Sequence, residues 1–526
     1  MKFHKKILCI FLALCLICSA LIGCSKKDKN NAEATSVDTN DTIATQAPTN
    51  EYGEPSFTSS VPSLELDFEG EDLVILLRDV VSNTREWTKL AVEDELDEAI
   101  AMRNAAVEDT LNVSLVFERV PSSSLTTYFN SMVSMIQTDI NSDLHYYDIN
   151  CATECFVSRN ELRDYAANLL DEEIFPFFDF SLPCWNQATV TNTRFGDKLF
   201  FVVGDSNISM YDAAIIMWYN KTLYDEKKED TDPANIQDLA LAGQWTYDEL
   251  YKWATRLYED SNGVQGRQSD DTYGLCTFPN NPCPADSIPF AWDLNFVTTQ
   301  NDGSHSFNVL GNDKAEAALV KFKNLLSANG TTASDANTSN AVSNFANGKY
   351  VFYTDRIFYN AEDNMKIREM EDKYGILPMP KYDTAQENYG TTAQDYFNVF
   401  SVLDHSNSSE PTKGEAISAA LQLANEESYT SVRGYYFNRI IKPKFFGTDD
   451  SEGTVTKSIA LFDIIVANIE LDYFSLYSPM LANIDHLWRN TCYSDQTLEQ
   501  VYSGAQANFE KAIRSTDVWL GLIEEE

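Results

Sequence analysis

Leu73–Leu77 is an unbroken apolar run between Asp72 and Arg78. A short continuous run of this kind marks a strand buried on both faces of a parallel sheet. A polar loop carrying Arg78, Arg85 and Glu86 follows, after which Trp87, Leu90, Leu96, Ile100 and Val107 fall near helical spacing. Asn112–Val120 alternates in part, as a second strand would. Ser122–Ile140 is amphipathic, with Met132, Met135 and Ile136, and Tyr146–Asn150 reads as a third strand. This β-α-β-α-β rhythm predicts an α/β chain with a parallel, doubly wound sheet. Ligands of such sheets sit beyond the carboxyl ends of the strands. The loops after Leu77 and Asn150 are therefore candidate binding loops, offering Arg85, Glu86 and Trp87, then Thr153 and Glu154. A solvated loop is the plain alternative for each of these residues.

Downstream, Phe200–Val203 and Ala214–Trp218 are apolar and strand-like. Trp245–Leu250 has the form of a helix start. Thr246 and Glu249 are spaced as a capping box, and Trp245 and Leu250 as a hydrophobic staple. Leu250, Trp253, Ala254 and Leu257 then line one helical face. Asn312–Asn329 is a second clear helix, with Leu319, Phe322 and Leu326 together and Gly330 as stop. Asn347-Gly348-Lys349 turns into a strand at Tyr350–Tyr353, Gly375–Pro380 is a short edge segment, and Tyr396–Val402 is a strand. Glu415–Asn425, Val455–Ile469 and Leu498–Ile513 are helical.

Charge narrows the function. The 526 residues hold 39 Lys and Arg against 80 Asp and Glu, a formal net charge of −41. Neither nucleic-acid phosphate nor a polybasic grip on anionic lipid suits that sign. With 44% hydrophobic residues the chain is globular, and its length suits two large domains or about three ordinary ones. Aromatic residues are 12% of the chain, enough to line a wet cleft as well as a core. No HExxH, GxSxG or GxxxxGK(S/T) motif is present, and the five His are scattered. Eighty carboxylates make chance acid pairs common, so a glycosidase dyad stays open without any local motif for it. No CxxC or Cys/His cluster occurs, so a structural zinc is not expected, and no motif calls for a cofactor. Six cysteines follow residue 100, allowing 15 pairings. Cys276 and Cys283, around a Pro-rich turn, are the nearest local pair, and buried free thiols are the alternative.

The N-terminus carries an address. Lys2, Lys5 and Lys6 precede an apolar run over Ile7–Gly23, shorter than the ~20 residues of a spanning helix. It reads as a secretory signal. Its end, Leu21-Ile22-Gly23-Cys24, resembles the lipobox of bacterial lipoproteins, which implies cleavage before Cys24 and a diacylglycerol on its thiol. Residues 24–63 would then be the lipidated cysteine and a disordered tether rich in Asn, Thr, Ser and Asp. The expected location is the outer face of a bacterial cell membrane, held there by lipid.

Four segments in order carry a second resemblance, which covers residues 70–526 in outline. Ile216-Met217-Trp218-Tyr219-Asn220-Lys221-Thr222-Leu223-Tyr224, Gln244-Trp245-Thr246-Tyr247-Asp248-Glu249-Leu250, Phe345-Ala346-Asn347-Gly348-Lys349-Tyr350-Val351-Phe352 and Tyr374-Gly375-Ile376-Leu377-Pro378-Met379-Pro380-Lys381 resemble segments of bacterial extracellular solute-binding proteins of carbohydrate ABC transporters. Asp260-Ser261-Asn262-Gly263 lacks the acidic ladder of that family's calcium loop.

The resemblance implies a two-lobed, periplasmic-binding-protein-like (type II) α/β fold with a hinge and an interlobe cleft. Lobe 1 would hold 64–190 plus 392–430, lobe 2 would hold 191–391, and 431–526 would pack across both. It implies a monomer that closes on a carbohydrate or oligosaccharide and delivers it to a membrane permease, without catalysis. The family outline points to Trp87, Glu154, Asp212, Trp292, Arg356, Phe358, Asp395, Tyr436 and Tyr473 as ligand-binding residues. Aromatic faces suit pyranose CH groups, and carboxylates and guanidinium suit the hydroxyl rim. Core positions compete for Trp292, Phe358 and Tyr473, and an internal ion pair with Asp355 competes for Arg356. The alternatives are an exported glycan hydrolase with a carboxylate pair, or a binding or sensor protein for peptides or another solute.

Overall fold

The apolar runs read above become the central strands of two separate sheets. In chain order the strands are β1 (Glu71–Arg78), β2 (Val113–Val120), β3 (Ile149–Thr153), β4 (Ile215–Asn220), β5 (Tyr258–Glu259), β6 (Thr272–Cys276), β7 (Val297–Thr299), β8 (His305–Phe307), β9 (Thr331–Thr332), β10 (Tyr350–Arg356), β11 (Tyr374–Leu377) and β12 (Asn398–Val402). The computed structural model describes residues 59–524 except 81–84, 88–94, 262, 265–266, 269–270, 278–283, 295, 301–303, 333–337, 358–365, 407–411 and 447–452. All of these belong to one compact unit, residues 48–526. The signal segment, Cys24 and most of the tether lie outside the described residues, as do Phe358 and Cys283.

The first sheet has the order β12-β3-β1-β2. Strands β1, β2 and β3 are parallel, with Leu73 opposite Leu115 and Ile75 opposite Ile149, and β12 joins the edge antiparallel. Alternation along β1 divides its side chains between two cores. Leu73, Ile75 and Leu77 join Phe400, Ile417 and Leu421, whereas Leu76 joins Leu96, Ile100 and Met132. The second sheet runs β11-β4-β10-β6-β5, with β9 also on β6. In it β4 lies antiparallel to both β10 and β11, so this sheet is mixed rather than doubly wound throughout. β7 and β8 form a separate antiparallel pair.

The helices at Glu95–Leu111, Leu125–Asn141 and Asp313–Ser327 follow the apolar spacing, and Ser124 and Asn312 cap the last two with their side chains. Three local expectations are corrected. The third strand begins at Ile149, not Tyr146, because the buried Asp139 carboxylate takes the main-chain N–H groups of Tyr146 and Tyr147 at 2.9 and 3.1 Å. Phe200–Val203 is buried and extended but joins the first sheet's hydrogen bonding through the single Val202–Phe400 bridge rather than as a strand. Thr246 begins the helix Tyr247–Arg256 without a side-chain cap. The Glu249 N–H that the hydroxyl would have capped goes to Thr246 O at 3.1 Å, and Lys381 pairs with the flanking main chain, accepting from Tyr247 N–H at 2.8 Å and donating to Trp245 O at 3.1 Å. The helical run from Gly414 to Phe445 contains two π-type stretches, Ser428–Val432 and Tyr436–Ile441. Cys151, Cys155 and Cys184 are free thiols. Among the described residues no helix is long and apolar enough to cross a membrane.

Candidate functional site

Chain segments crossing between the two sheets create the site. One runs through Ile208–Ile215 and one through Thr391–Asn398, tied by Ile215 N–H to Thr392 O (3.0 Å) and Gln394 N–H to Ala213 O (2.8 Å). A third, near Ile469, is tied to the second by Glu470 N–H to Thr391 O at 2.8 Å. Hydrogen bonds of this strand type let three extended segments lie side by side with their main-chain groups satisfied. Gly390 sits at the entry to the second segment, where a Cβ would lie 2.3 Å from Phe290 O, so the close approach requires glycine.

The second crossing segment meets the carboxyl end of β3. Glu154 N–H donates to Phe397 O at 2.9 Å and Cys155 N–H to Asp395 O at 3.2 Å. This pairing brings Glu154 and Asp395 to one recess despite their distance in sequence. The recess has a volume of about 60 Å³ and is also lined by Asp286, Asp485, Arg489, Phe290 and Phe474. Residues on both sheets' sides of the crossing thus share it. Arg489 forms a two-point ion pair with Asp286, with Nε to Oδ1 at 2.8 Å. Burial still pushes the Asp286 carboxyl up to about 6, against the pull of Arg489. Burial raises Glu154 well above the usual carboxylate range, and the charges of Asp395, Asp485 and Asp472 add to it. Asp395 is raised by burial and then by Asp485.

Arg78, at the end of β1, places its guanidinium 5.4 Å from the ring centre of Tyr128 and 5.7 Å from that of Tyr396. From the second sheet, Arg356 ends β10 and donates from Nη1 to Gln394 Oε1 at 2.7 Å. Its Nε also lies 3.5 Å from Asp355 Oδ1, the internal ion pair weighed above. Arg356 therefore joins the second sheet to the crossing segment beside Asp395.

The remaining candidates are placed elsewhere. Asp212 and Tyr436 meet at the first crossing, where the Tyr436 hydroxyl donates to Asp212 Oδ1. Burial raises the Asp212 carboxyl to about 7, opposed by that bond and by Arg85. Trp87 is 1% exposed and packs on Phe400 and under Arg103 in the first core. Trp292 is fully buried in the second lobe, its Nε1–H donating to Pro380 O at 3.0 Å. Tyr473 stacks on His305 with centroids 4.3 Å apart and lines a different cavity of about 750 Å³. Glu86, from the first candidate loop, is fully buried. Its carboxylate accepts from Ser209 N–H at 2.6 Å and from the Asn398 amide, fastening the loop to two crossing segments.

Sequence reasoning missed Asp286, Asp485 and Arg489. They lie in loop and helix stretches without a distinguishing pattern, and only packing of the C-terminal helices brings them to the recess. Among the described residues no group of three or more His, Cys, Asp or Glu is arranged to hold a metal ion.

The arrangement defines a class. Two α/β lobes joined by crossing segments, with a polar and aromatic floor at the strand ends, form the two-domain fold of periplasmic sugar-binding proteins. Solved structures agree. The sugar-binding protein MalE from Xanthomonas citri is 12% identical, with 86% of this chain and 100% of that chain covered at a TM-score of 0.53. The cyclic α-maltosyl-1,6-maltose binding protein from Arthrobacter globiformis is 13% identical over 85% of this chain and 100% of its own, at 0.50. The galacto-N-biose-/lacto-N-biose I-binding protein of the ABC transporter from Bifidobacterium longum is 10% identical over 85% and 98%, also at 0.50. All three are binding proteins by name. No protein-family model and no curated protein sequence matches the chain.

Proposed function

We propose that the protein is the lipid-anchored solute-binding component of an ABC importer. It captures a carbohydrate or oligosaccharide between its lobes by hinge closure and delivers it to a membrane permease. The observation that carries this reading is the pair of sheets joined by crossing segments, with a small polar recess where these meet and, at the end of β1, Arg78 set against the rings of Tyr128 and Tyr396. Ring faces and fixed hydrogen-bonding groups are what a pyranose requires. Few crossing segments between two sheets suit a hinge, and a ligand that touches both lobes favours the closed form by its differential affinity. The lipobox-like end of the signal segment supports the anchor.

A thermal-shift screen of the mature chain against mono- and oligosaccharides, with peptides as controls, tests the reading. A ligand at 100 times its Kd stabilises the folded state by about 2.7 kcal/mol. A rise with one glycan class, recovered unchanged, supports it. A rise with peptides alone overturns the carbohydrate assignment, and recovery of glycan fragments would establish a hydrolase instead. Loss of membrane retention on Cys24→Ala tests the anchor.

A further inference from the structure

Four carboxylates, Glu154, Asp286, Asp395 and Asp485, line the recess of about 60 Å³, against one guanidinium, Arg489. Their partners are unequal. Asp286 is engaged by Arg489. Asp485 accepts from the Ser478 hydroxyl and lies 3.6 Å from His486 Nε2. Asp395 accepts from the Gln394 side-chain amide. Glu154 is different: it is 4% exposed, and among the described residues its carboxylate has no hydrogen bond and no ion pair. A buried carboxylate is ordinarily paired, because an isolated one is costly to hold in a low-dielectric site. The charges that act on it most, those of Asp395, Asp485 and Asp472, are all of its own sign. The recess is thus incomplete by one positive group.

A metal ion does not fit the vacancy in charge, since the carboxylates are not grouped as metal ligands. A compact organic cation does. An ammonium offers three N–H donors to several acceptors at once, and the small volume suits a single such group rather than a whole sugar ring. We propose that the ligand carries a protonated amine, as in an amino sugar with a free amino group, and that Glu154 is the residue that selects it. This rests on the carbohydrate reading above and narrows it to cationic glycans. Burial and like charge push the Glu154 carboxyl up, and an ammonium beside it would pull it back down. Phe290 and Phe474 supply apolar wall beside the charge.

The test uses the mature chain and calorimetric titration. The probes are glucosamine, galactosamine and β1,4-linked glucosamine oligomers, each against its N-acetylated and its neutral hydroxyl counterpart. A charge-assisted hydrogen bond in a buried site predicts that the free amines bind roughly 10- to 100-fold more tightly than their acetylated partners. Glu154→Gln, which keeps the side-chain shape, should bring that ratio down to within a few-fold. Equal or tighter binding of acetylated or neutral sugars overturns this inference and leaves the carbohydrate reading standing. An amine preference that survives in Glu154→Gln overturns the role of Glu154. Failure of every glycan in this set and in the broader screen overturns the carbohydrate reading itself, and this inference with it.

Discussion

Replacing Glu86 with glutamine should flatten the pH dependence of stability. Glu86 is fully buried, and burial is the largest influence on its carboxyl, raising it from 4.5 to about 8. The hydrogen bonds from Ser209 and Asn398 oppose that rise, and Asp212 adds to it. A folded-state value above the unfolded one means that the native protein holds the proton more tightly. The corresponding stability is fully present below about 4.5 and drains away as the pH rises toward 8. At about 1.4 kcal/mol per pH unit, the loss between pH 5 and 8 is on the order of 4 kcal/mol. A body of this size has an unfolding entropy near 1 kcal/mol/K, so the wild-type melting temperature should fall by about 4 °C over that range from this group alone. Differential scanning calorimetry at pH 5, 6, 7 and 8 reads it directly. Glu86→Gln keeps the acceptor for Ser209 and has no proton to lose, so its melting temperature should change less by that amount. Asp286 and Asp212, raised to about 6 and 7, leave a residual slope in both proteins. The refuting result is an identical slope in wild type and variant. It would mean that Glu86 is ionised in the folded state, held so by the buried Arg103, which donates from Nη2 to the Glu86 main-chain oxygen at 2.8 Å.

Other perturbations have defined outcomes. Arg489→Leu removes the partner of Asp286 and should cost about 1–3 kcal/mol at pH 8 in urea denaturation. That cost should shrink at pH 5, where Asp286 is protonated. Trp253→Ala empties a site packed on Tyr224 and Phe352 at 4.8 and 5.9 Å and should cost about 3–5 kcal/mol by the same assay. Gly390→Ala drives a Cβ onto the Phe290 carbonyl and should destabilise by about 1–3 kcal/mol. An unchanged melt for that variant would show that the crossing segment shifts freely.

Periodicity was most informative where burial alone decides structure. Leu73–Leu77 became β1, and Leu319 and Phe322 lie buried on their helix as spaced. It failed where a distant polar group intervened. Asp139 delays β3, and at Thr246 the Glu249 N–H that a capping hydroxyl would have served goes to the Thr246 carbonyl, while Lys381 pairs with the flanking main chain. The site was legible in part for the same reason. Glu154 follows from its strand-end loop and Asp395 from the family outline, whereas Asp286, Asp485 and Arg489 reach the recess only through packing of separate segments. Trp87 and Glu86 were read as loop chemistry and lie inside the protein, because the turn that carries them folds onto Arg103 and the crossing segments.

The placement of β12 beside β3 bears on how the protein is made. The second sheet is complete once Leu377 has been synthesised, since all of its strands lie between Ile215 and that residue. The first sheet begins earlier yet ends later. Its β3 edge has no strand partner until Asn398 emerges from the ribosome. The lobe translated first is therefore finished last, and for most of elongation it presents main-chain donors and acceptors to the surroundings. Whatever shields that edge in the nascent chain has to release it to β12, so chaperone dependence should track the first lobe rather than the second.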